Sequence, residues 1–406
     1  MAVNLKAPES LLPIAGVRIG DACAGIKRPG RSDMVMFEFV EGTQVAGVFT
    51  RNAFCAAPVT LCREALAADA GIRGLLVNSG NANAGTGQAG RQAAEATVRA
   101  VAESIGCAPT QVLPFSTGVI GQPLPLQRML DTVPALHAGL KTDGWMAAAT
   151  AIMTTDTVMK GCSRQVATSQ GVVTVTGIAK GAGMICPDMA TLLGFVGTDA
   201  RLTAEATDRC LRDAVGRSFN CITVDGDTST NDSVVLFATG AAGKTDVGPS
   251  HPDYAVIADA VAEVCIELAQ AVIRDGEGAT RLITIDVSEA GSEHEARLAA
   301  YALAHSPLFK TAAFAGDANW GRILAAVGRC GIADLDLAGL SIDIDEVALI
   351  RNGEPDPAYE ESRGAAVFAR SEYVIRIRLG RGREAIRVWT CDLGYDYVKI
   401  NAEYRT

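Results

Sequence analysis

The sequence predicts a mixed α/β fold of the kind soluble enzymes use, with its core divided between two lobes, and three observations lead there. At 406 residues the chain is two to three times the usual domain length, so small stapled folds are excluded. Its 49% hydrophobic and 20% charged content is that of an ordinary globular protein, and 42 glycines beside only 5% aromatics point to many close backbone turns. Helical and alternating apolar periods intermingle along the chain without a regular βαβ rhythm.

Taken in order, Val98, Val101, Ala102 and Ile105 recur at helical spacing before Gly106. Ile257, Val261, Val264, Leu268 and Val272 do so over five turns. Both patterns predict amphipathic helices that cover a sheet. Strand alternation marks Val172 to Ile178, Leu282 to Val287 and Leu340 to Ile344. Near the end, Ile375, Ile377 and Leu379, then Ile386 and Val388, flank Gly380-Arg381-Gly382, which predicts a hairpin. No internal repeat, low-complexity tract or long Pro/Ser linker marks a domain boundary.

The formal charge is −10, with 36 basic residues scattered among 46 acidic ones, so the basic footprint of a nucleic-acid binder is missing. No run approaches the roughly 18 apolar residues of a membrane span, and the first twenty residues lack the pattern of a signal peptide. A cytoplasmic protein with no membrane or nucleic-acid partner is expected. The 11 cysteines are odd in number and nowhere spaced C-x-x-C, which suggests small buried hydrophobes rather than disulfides or zinc.

Several motifs imitate chemistry and fail. Gly85-Thr-Gly87-Gln-Ala-Gly90 matches G-x-G-x-x-G before the 91–105 helix, but seven residues, Asn78 to Ala84, separate it from the apolar strand. The next apolar run, ending Phe115-Ser116, offers no acid for a ribose, so the glycines read as a tight turn. Gly243-Lys244-Thr245 lacks the glycine a phosphate loop needs at Ala238. Asp225-Gly-Asp227-Thr-Ser229 has Thr230 and Leu236 where a calcium loop needs Gly and Glu. There is no G-x-S-x-G, and His137, His251, His294 and His305 lie outside the Gly/Thr/Asn-rich segments, so a Ser-His-Asp triad is poorly supported.

Acyl chemistry without a histidine base has one economical solution, a threonine that becomes a new N-terminus and uses its own α-amino group. Such an amine has a pKa of about 7.7–8.0, suited to proton transfer at neutral pH. The candidate is Thr191, in KGAGMICPDMATLLGF from Lys180 to Phe195, where an apolar strand ends in a glycine loop and Ala190 precedes the threonine. Taken alone, an Ala-Thr pair after a glycine loop is ordinarily structural.

The segment KGAGMICPDMATLLGFVGTD resembles the self-cleavage segment of the ornithine acetyltransferase family, arginine-biosynthesis enzymes that move acetyl from N-acetylornithine to glutamate. Eight further blocks match in the same order. They are Gly47 to Thr50 (GVFT), Asn78 to Gly87 (NSGNANAGTG), Ser116 to Gly121 (STGVIG) and Met153 to Thr157 (MTTDT). Beyond the cleavage segment come Ser218 to Asp232 (SFNCITVDGDTSTND), Gly276 to Thr280 (GEGAT), Asn319 to Arg322 (NWGR) and Ile400 to Thr406 (INAEYRT).

The resemblance implies an αββα sandwich similar to that of self-processing N-terminal-nucleophile enzymes, in two lobes. It implies autoproteolysis between Ala190 and Thr191, giving an α chain (1–190) and a β chain (191–406) that stay associated as an (αβ)2 heterotetramer. Thr191 would be the nucleophile of a ping-pong reaction, with Thr117 and Gly118 as oxyanion donors. Thr154, or its neighbour Thr155, together with Lys180, Thr191, Glu277, Asn401 and Thr406, would bind substrate. No metal or bound cofactor is implied. Bifunctional members also take acetyl-CoA as a co-substrate, and no residue named here separates the two kinds. NSGNANAGTG and SFNCITVDGDTSTND are read as loops that shape the site.

Four positions depart from the family pattern: Cys186, Asp188, Cys221 and Ala318 stand where Ala, Asn, Arg and Pro are usual. Asp188 puts a carboxylate three residues from the bond to be cut, which bears on the rate and pH dependence of cleavage. Two rival readings remain open. One is a hydrolytic aminopeptidase or amidase with the same self-generated threonine; the other is a binding protein whose Ala190-Thr191 bond stays intact.

Overall fold

The structure is a computed structural model that describes residues 2–27, 29–186 and 192–403. In chain order come β1 (Val17–Ala22), β2 (Met34–Phe39), β3 (Gln44–Phe49), α1 (Ala57–Ala67), β4 (Gly74–Asn81), α2 (Gly87–Ile105), β5 (Val112–Val119), α3 (Leu126–Ala138) and α4 (Trp145–Ala151). There follow β6 (Lys160–Thr168), β7 (Gly171–Lys180), β8 (Leu193–Thr198), α5 (Ala204–Gly216), β9 (Ile222–Thr223), β10 (Ser233–Ala238) and α6 (Tyr254–Arg274). The last part holds β11 (Leu282–Ala290), α7 (Glu293–Ala304), α8 (Pro307–Ala315), α9 (Trp320–Gly328), β12 (Ser341–Ile344), β13 (Val347–Arg351) and β14 (Glu354–Pro355). It closes with α10 (Glu361–Phe368), β15 (Glu372–Arg378), β16 (Glu384–Cys391) and α11 (Tyr395–Ala402).

Two compact units result, one of Lys6–Asn220 with Asp227–Val272, the other of Met1–Leu5, Cys221–Gly226 and Ile273–Thr406. The first is an αββα sandwich. One sheet has the order β1-β2-β4-β5, the other β3-β10-β8-β7-β6. Because strand side chains alternate between faces, Val35, Phe37 and Phe39 of β2 point to a shared core with Phe195, Val235 and Phe237 of the second sheet. Met34 and Met36 point the other way, against Val98 and Val101 of α2 and Met129 and Val133 of α3. Each such buried side chain contributes roughly 1.5–3 kcal/mol. On the second sheet's outer face lies α6, whose five periodic residues from Ile257 to Val272 are all at most 1% exposed. A Cβ on Gly177 of β7 would come within 2.7 Å of Val264 and 2.9 Å of Leu268, so the absence of a side chain there lets α6 lie close. Both predicted helices therefore form and cover sheets. Gly106 ends α2 at φ 69°, a left-handed value that favours glycine.

The second unit is a sheet of order β14-β13-β12-β15-β11-β16-β9, with α7 packed on β11 and β16 and Ile283, Ile285, Ile375 and Ile377 sharing one core with Leu303 of α7, Phe309 of α8 and Ile323 of α9. The strands predicted at Leu282 and Leu340 are β11 and β12. The predicted hairpin is not formed as expected. β15 and β16 run on either side of β11, parallel to it in one case and antiparallel in the other. Gly380-Arg381-Gly382 crosses the end of β11, where the amides of Arg381 and Gly382 both donate to Glu289 O at 2.7 and 3.0 Å. A Cβ on Gly382 would lie 2.4 Å from Ala290 O, so the crossing needs glycine.

Among the described residues no helix is long and apolar enough to cross a membrane. None of the eleven cysteines, all among the described residues, forms a disulfide, and seven are buried.

Candidate active site

In the sandwich unit the polar blocks of the sequence converge on the ends of β4, β5 and β7. β4 and β5 run parallel with Gly80 opposite Gly118, and the register shifts there at Asn81. Gly118 has φ 134°, and a Cβ on it would lie 2.3 Å from Gly80 C and 2.5 Å from Asn81 N, so only glycine fits this close approach. Thr117, 8% exposed, sits beside it. Lys180, the last residue of β7, donates from Nζ to Thr117 Oγ1 at 3.3 Å in a buried environment.

β4 continues through Asn78 to Asn81, so four of the ten residues read as a loop are strand. Its buried amides and hydroxyls are satisfied by one another, as burial requires. Ser116 Oγ donates to Asn78 Oδ1 at 2.6 Å, and Asn231 Nδ2 donates to Ala82 O and Ser116 O at 2.6 and 2.9 Å. Thr50 Oγ1 donates to Ser229 O at 2.8 Å. The block from Ser218 to Asp232 is likewise not all loop: Ile222 and Thr223 form β9 of the second unit, paired with β16. Gly90 lies in the first turn of α2, where a Cβ would come within 1.8 Å of Thr86 Oγ1; the glycine-rich motif is a tight turn, as expected.

Sequence reasoning missed Asp156 and Lys160. Asp156 lies inside the quoted MTTDT block, and its side chain is fully enclosed, as is that of Lys160, whose Nζ approaches its Oδ1 at 2.7 Å. Gly181 N also donates to Oδ1 at 2.7 Å, and Thr154 N donates to Oδ2 at 2.9 Å. Burial alone would raise the Asp156 carboxyl, but the Lys160 and Lys180 charges and these hydrogen bonds outweigh it and hold the group well below the usual carboxylate range. The only sequence signal was an acid amid threonines with a lysine four residues on.

In the other unit Glu277, 8% exposed, accepts from Asn401 Nδ2 at 2.8 Å. Asn401 lies on α11, whose start packs on Gly278: a Cβ there, at φ 71°, would lie 2.5 Å from Tyr397 N. Asp392 anchors the following residues, accepting from Thr280 N at 2.8 Å and Arg281 N at 3.0 Å. The predicted site residues thus fall into two sets, Thr117, Gly118, Thr154 and Lys180 in the sandwich unit and Glu277 with Asn401 in the second. Ala190, Thr191 and Thr406 lie outside the described residues, as does Asp188.

Of the other departures, Cys186 O accepts from Thr228 Oγ1 at 3.1 Å. Burial pushes the Cys221 thiol up to about 11, and Ala318 is buried in the second unit's core.

Comparison with known proteins gives the family of the chain. The ArgJ family matches over residues 18–406. The arginine biosynthesis bifunctional protein ArgJ of Pseudomonas fluorescens is 50% identical over 407 residues, covering 100% of both chains. Among solved structures, the arginine biosynthesis bifunctional protein argJ of Bacillus halodurans is 38% identical with a TM-score of 0.48, over 50% of this chain and 95% of that one. The ornithine acetyltransferase of Mycobacterium tuberculosis, solved with ornithine, is 36% identical with a TM-score of 0.38, over 44% and 94% of the two chains. With one family matching from residue 18 to the C-terminus and half of all positions shared with a full-length relative, the chain belongs to the ArgJ family, acyltransferases of arginine biosynthesis.

Proposed function

We propose that the chain cuts itself between Ala190 and Thr191 and that Thr191 then carries acetyl from N-acetylornithine to glutamate. The observation that carries this reading, beside family membership, is the Lys180–Thr117 pair at 3.3 Å. It lies at the end of the strand that leads into the cleavage segment. An ammonium donates only, and a hydroxyl has one proton of its own. With Lys180 donating into Thr117 Oγ1, the Thr117 proton is left to point at an oxyanion.

The Thr191 amine takes the proton from its own Oγ, which attacks the acetyl carbonyl of N-acetylornithine. Thr117 O–H and Gly118 N–H meet the tetrahedral oxyanion, each contributing about 3 kcal/mol at the transition state. Collapse breaks the amide C–N bond, the ornithine nitrogen collects the proton, and an acetyl ester remains on Thr191. The amine of glutamate attacks that ester, the Thr191 amine relays the proton back to Oγ, and N-acetylglutamate leaves. Like-charge repulsion from Lys180 favours the neutral, basic form of the Thr191 amine. Thr154, Glu277, Asn401 and Thr406 offer hydroxyls, a carboxylate and an amide to the substrate's charged ends.

No bound cofactor enters this scheme. We extend it to acetyl-CoA as a second donor, in keeping with the bifunctional name of the Pseudomonas relative, to an (αβ)2 assembly and to the cytoplasm. The test is the intact mass of the denatured protein, followed by transfer assays with N-acetylornithine and with acetyl-CoA. Two fragments meeting at Ala190/Thr191 with glutamate-dependent transfer are expected. Thr191→Ala should stay uncut and inactive. Release of free acetate without glutamate would instead indicate a hydrolase, and a processed, active T191A protein would remove the mechanism.

A further inference from the structure

One fully enclosed carboxylate in the sandwich unit has no role in the chemistry above. Ionised, it is an acceptor with two oxygens. It takes the backbone N–H of Thr154 at 2.9 Å, the backbone N–H of Gly181 at 2.7 Å and the Lys160 ammonium at 2.7 Å. Thr154 follows α4, Lys160 opens β6, and Gly181 is the first residue beyond β7. Gly181 is also bonded to Lys180, whose register partner on β8 is Leu193, two residues after Thr191.

We infer that Asp156 is a positioning residue for acetyl transfer: its carboxylate fixes the exit of β7 so that Lys180 reaches Thr117, while Lys160, which also donates to Val158 O at 3.2 Å, is its counter-ion. The inference rests on the roles given above to Lys180 and Thr117. The Lys180–Thr117 bond is at the long end of hydrogen-bond range at 3.3 Å, so a few tenths of an ångström at Gly181 is enough to lose it. An asparagine at 156 would turn an NH2 toward either Thr154 N–H or the Gly181 and Lys160 donors, setting donor against donor. A purely structural ion pair behaves differently, because exchanging both partners for neutral groups is often tolerated.

The test compares wild type, the double variant Asp156→Asn/Lys160→Met and the single variant Lys160→Met. Matured sites are counted by the burst of ornithine released on first acetylation, and kcat is expressed per such site. The double variant is expected to fold and to lose about tenfold or more in kcat with KM within about threefold, as for an interaction made in the transition state. K160M keeps both backbone contacts of Asp156 and should stay within about threefold of wild-type kcat. A double variant with wild-type kcat per site, or a K160M that loses as much as the double, overturns the inference. If the double variant does not accumulate, D156E takes its place, with the same loss expected; equal losses in D156E and K160M overturn the inference. A wild type that transfers no acetyl overturns the proposed function itself, a separate outcome.

Discussion

Replacing Thr117 by valine isolates its proposed role as an oxyanion donor from the fold. Valine keeps the β-branched shape that suits β5 and removes only the hydroxyl. At the transition state the loss of one preorganised donor costs about 2.7–4 kcal/mol, which is a factor of about 10²–10³ in kcat. KM should barely move, since the donor meets charge that exists only after attack. In the resting protein the change removes a single buried bond from the Lys180 ammonium, 3.3 Å long, worth about 1–3 kcal/mol with a charged partner and at the lower end for this length. A domain with about 5–15 kcal/mol of stability remains folded after that. Activity and stability therefore separate, and the assay is kcat per acetylatable site beside a denaturant unfolding curve. Thr117→Ser keeps the hydroxyl and should stay within about threefold of wild type. The reasoning is refuted if T117V keeps more than about a tenth of wild-type kcat, or if T117S falls as far as T117V.

Gly118→Ala would drive a methyl to 2.3 Å from Gly80 C at φ 134°; overpacking and backbone cost together predict a loss of about 2–6 kcal/mol, and an unchanged unfolding midpoint would contradict the close approach of β4 and β5. Glu277→Gln removes the charge that faces Asn401 Nδ2 at 2.8 Å and should raise KM for N-acetylornithine by about tenfold or more while kcat changes less; steady-state kinetics with an unchanged KM would take Glu277 out of substrate binding. The Asp156 carboxyl is held below its unfolded value, despite burial, by Lys160 and Lys180. Its stabilising contribution is therefore complete above the unfolded pKa of about 3.9 and is lost as pH falls toward the lower folded value. The stability gap between wild type and D156N should be flat from neutral pH to about pH 5 and shrink below about pH 4; a gap that widens on acidification has the wrong sign.

What was legible in the sequence was what periodicity encodes. The five apolar positions from Ile257 to Val272 give α6, and Gly106 gives the end of α2, because burial of one helix face imposes its own spacing. Polar strands are invisible to that signal: Asn78 to Asn81 read as loop because their partners, the Ser116 hydroxyl and the backbones of β2 and β5, are far off in sequence. The hairpin expected around Gly380-Arg381-Gly382 failed for a related reason. Nothing local to residues 375–388 announces that β11, far earlier in the chain, lies between the two strands. Asp156 and Lys160 are two charges with ordinary spacing, and only the fold shows that neither reaches water. The catalytic assignments came from collinear resemblance; no composition or spacing argument produced Glu277 beside Asn401.

The sheet order explains how a chain cut at Ala190/Thr191 would stay together. In β3-β10-β8-β7-β6, β3, β7 and β6 precede that bond and β8 and β10 follow it. The fragment after the cut therefore lies between strands of the fragment before it, paired through β3–β10 on one side and β7–β8 on the other. Facing this sheet, Phe37 and Phe39 from before the bond pack on Phe195 and Phe237 from after it, with ring centroids 5.5 Å apart for Phe37–Phe195 and 4.7 Å for Phe39–Phe237. Separating the fragments would open two ladders and expose that aromatic core to water at once, a cost that rises with every buried ring. The bond lies between Lys180 and Leu193, which are register partners at the same end of the β7–β8 ladder. The proposed cleavage therefore costs the sheet no paired strand, since neither β7 nor β8 contains the bond.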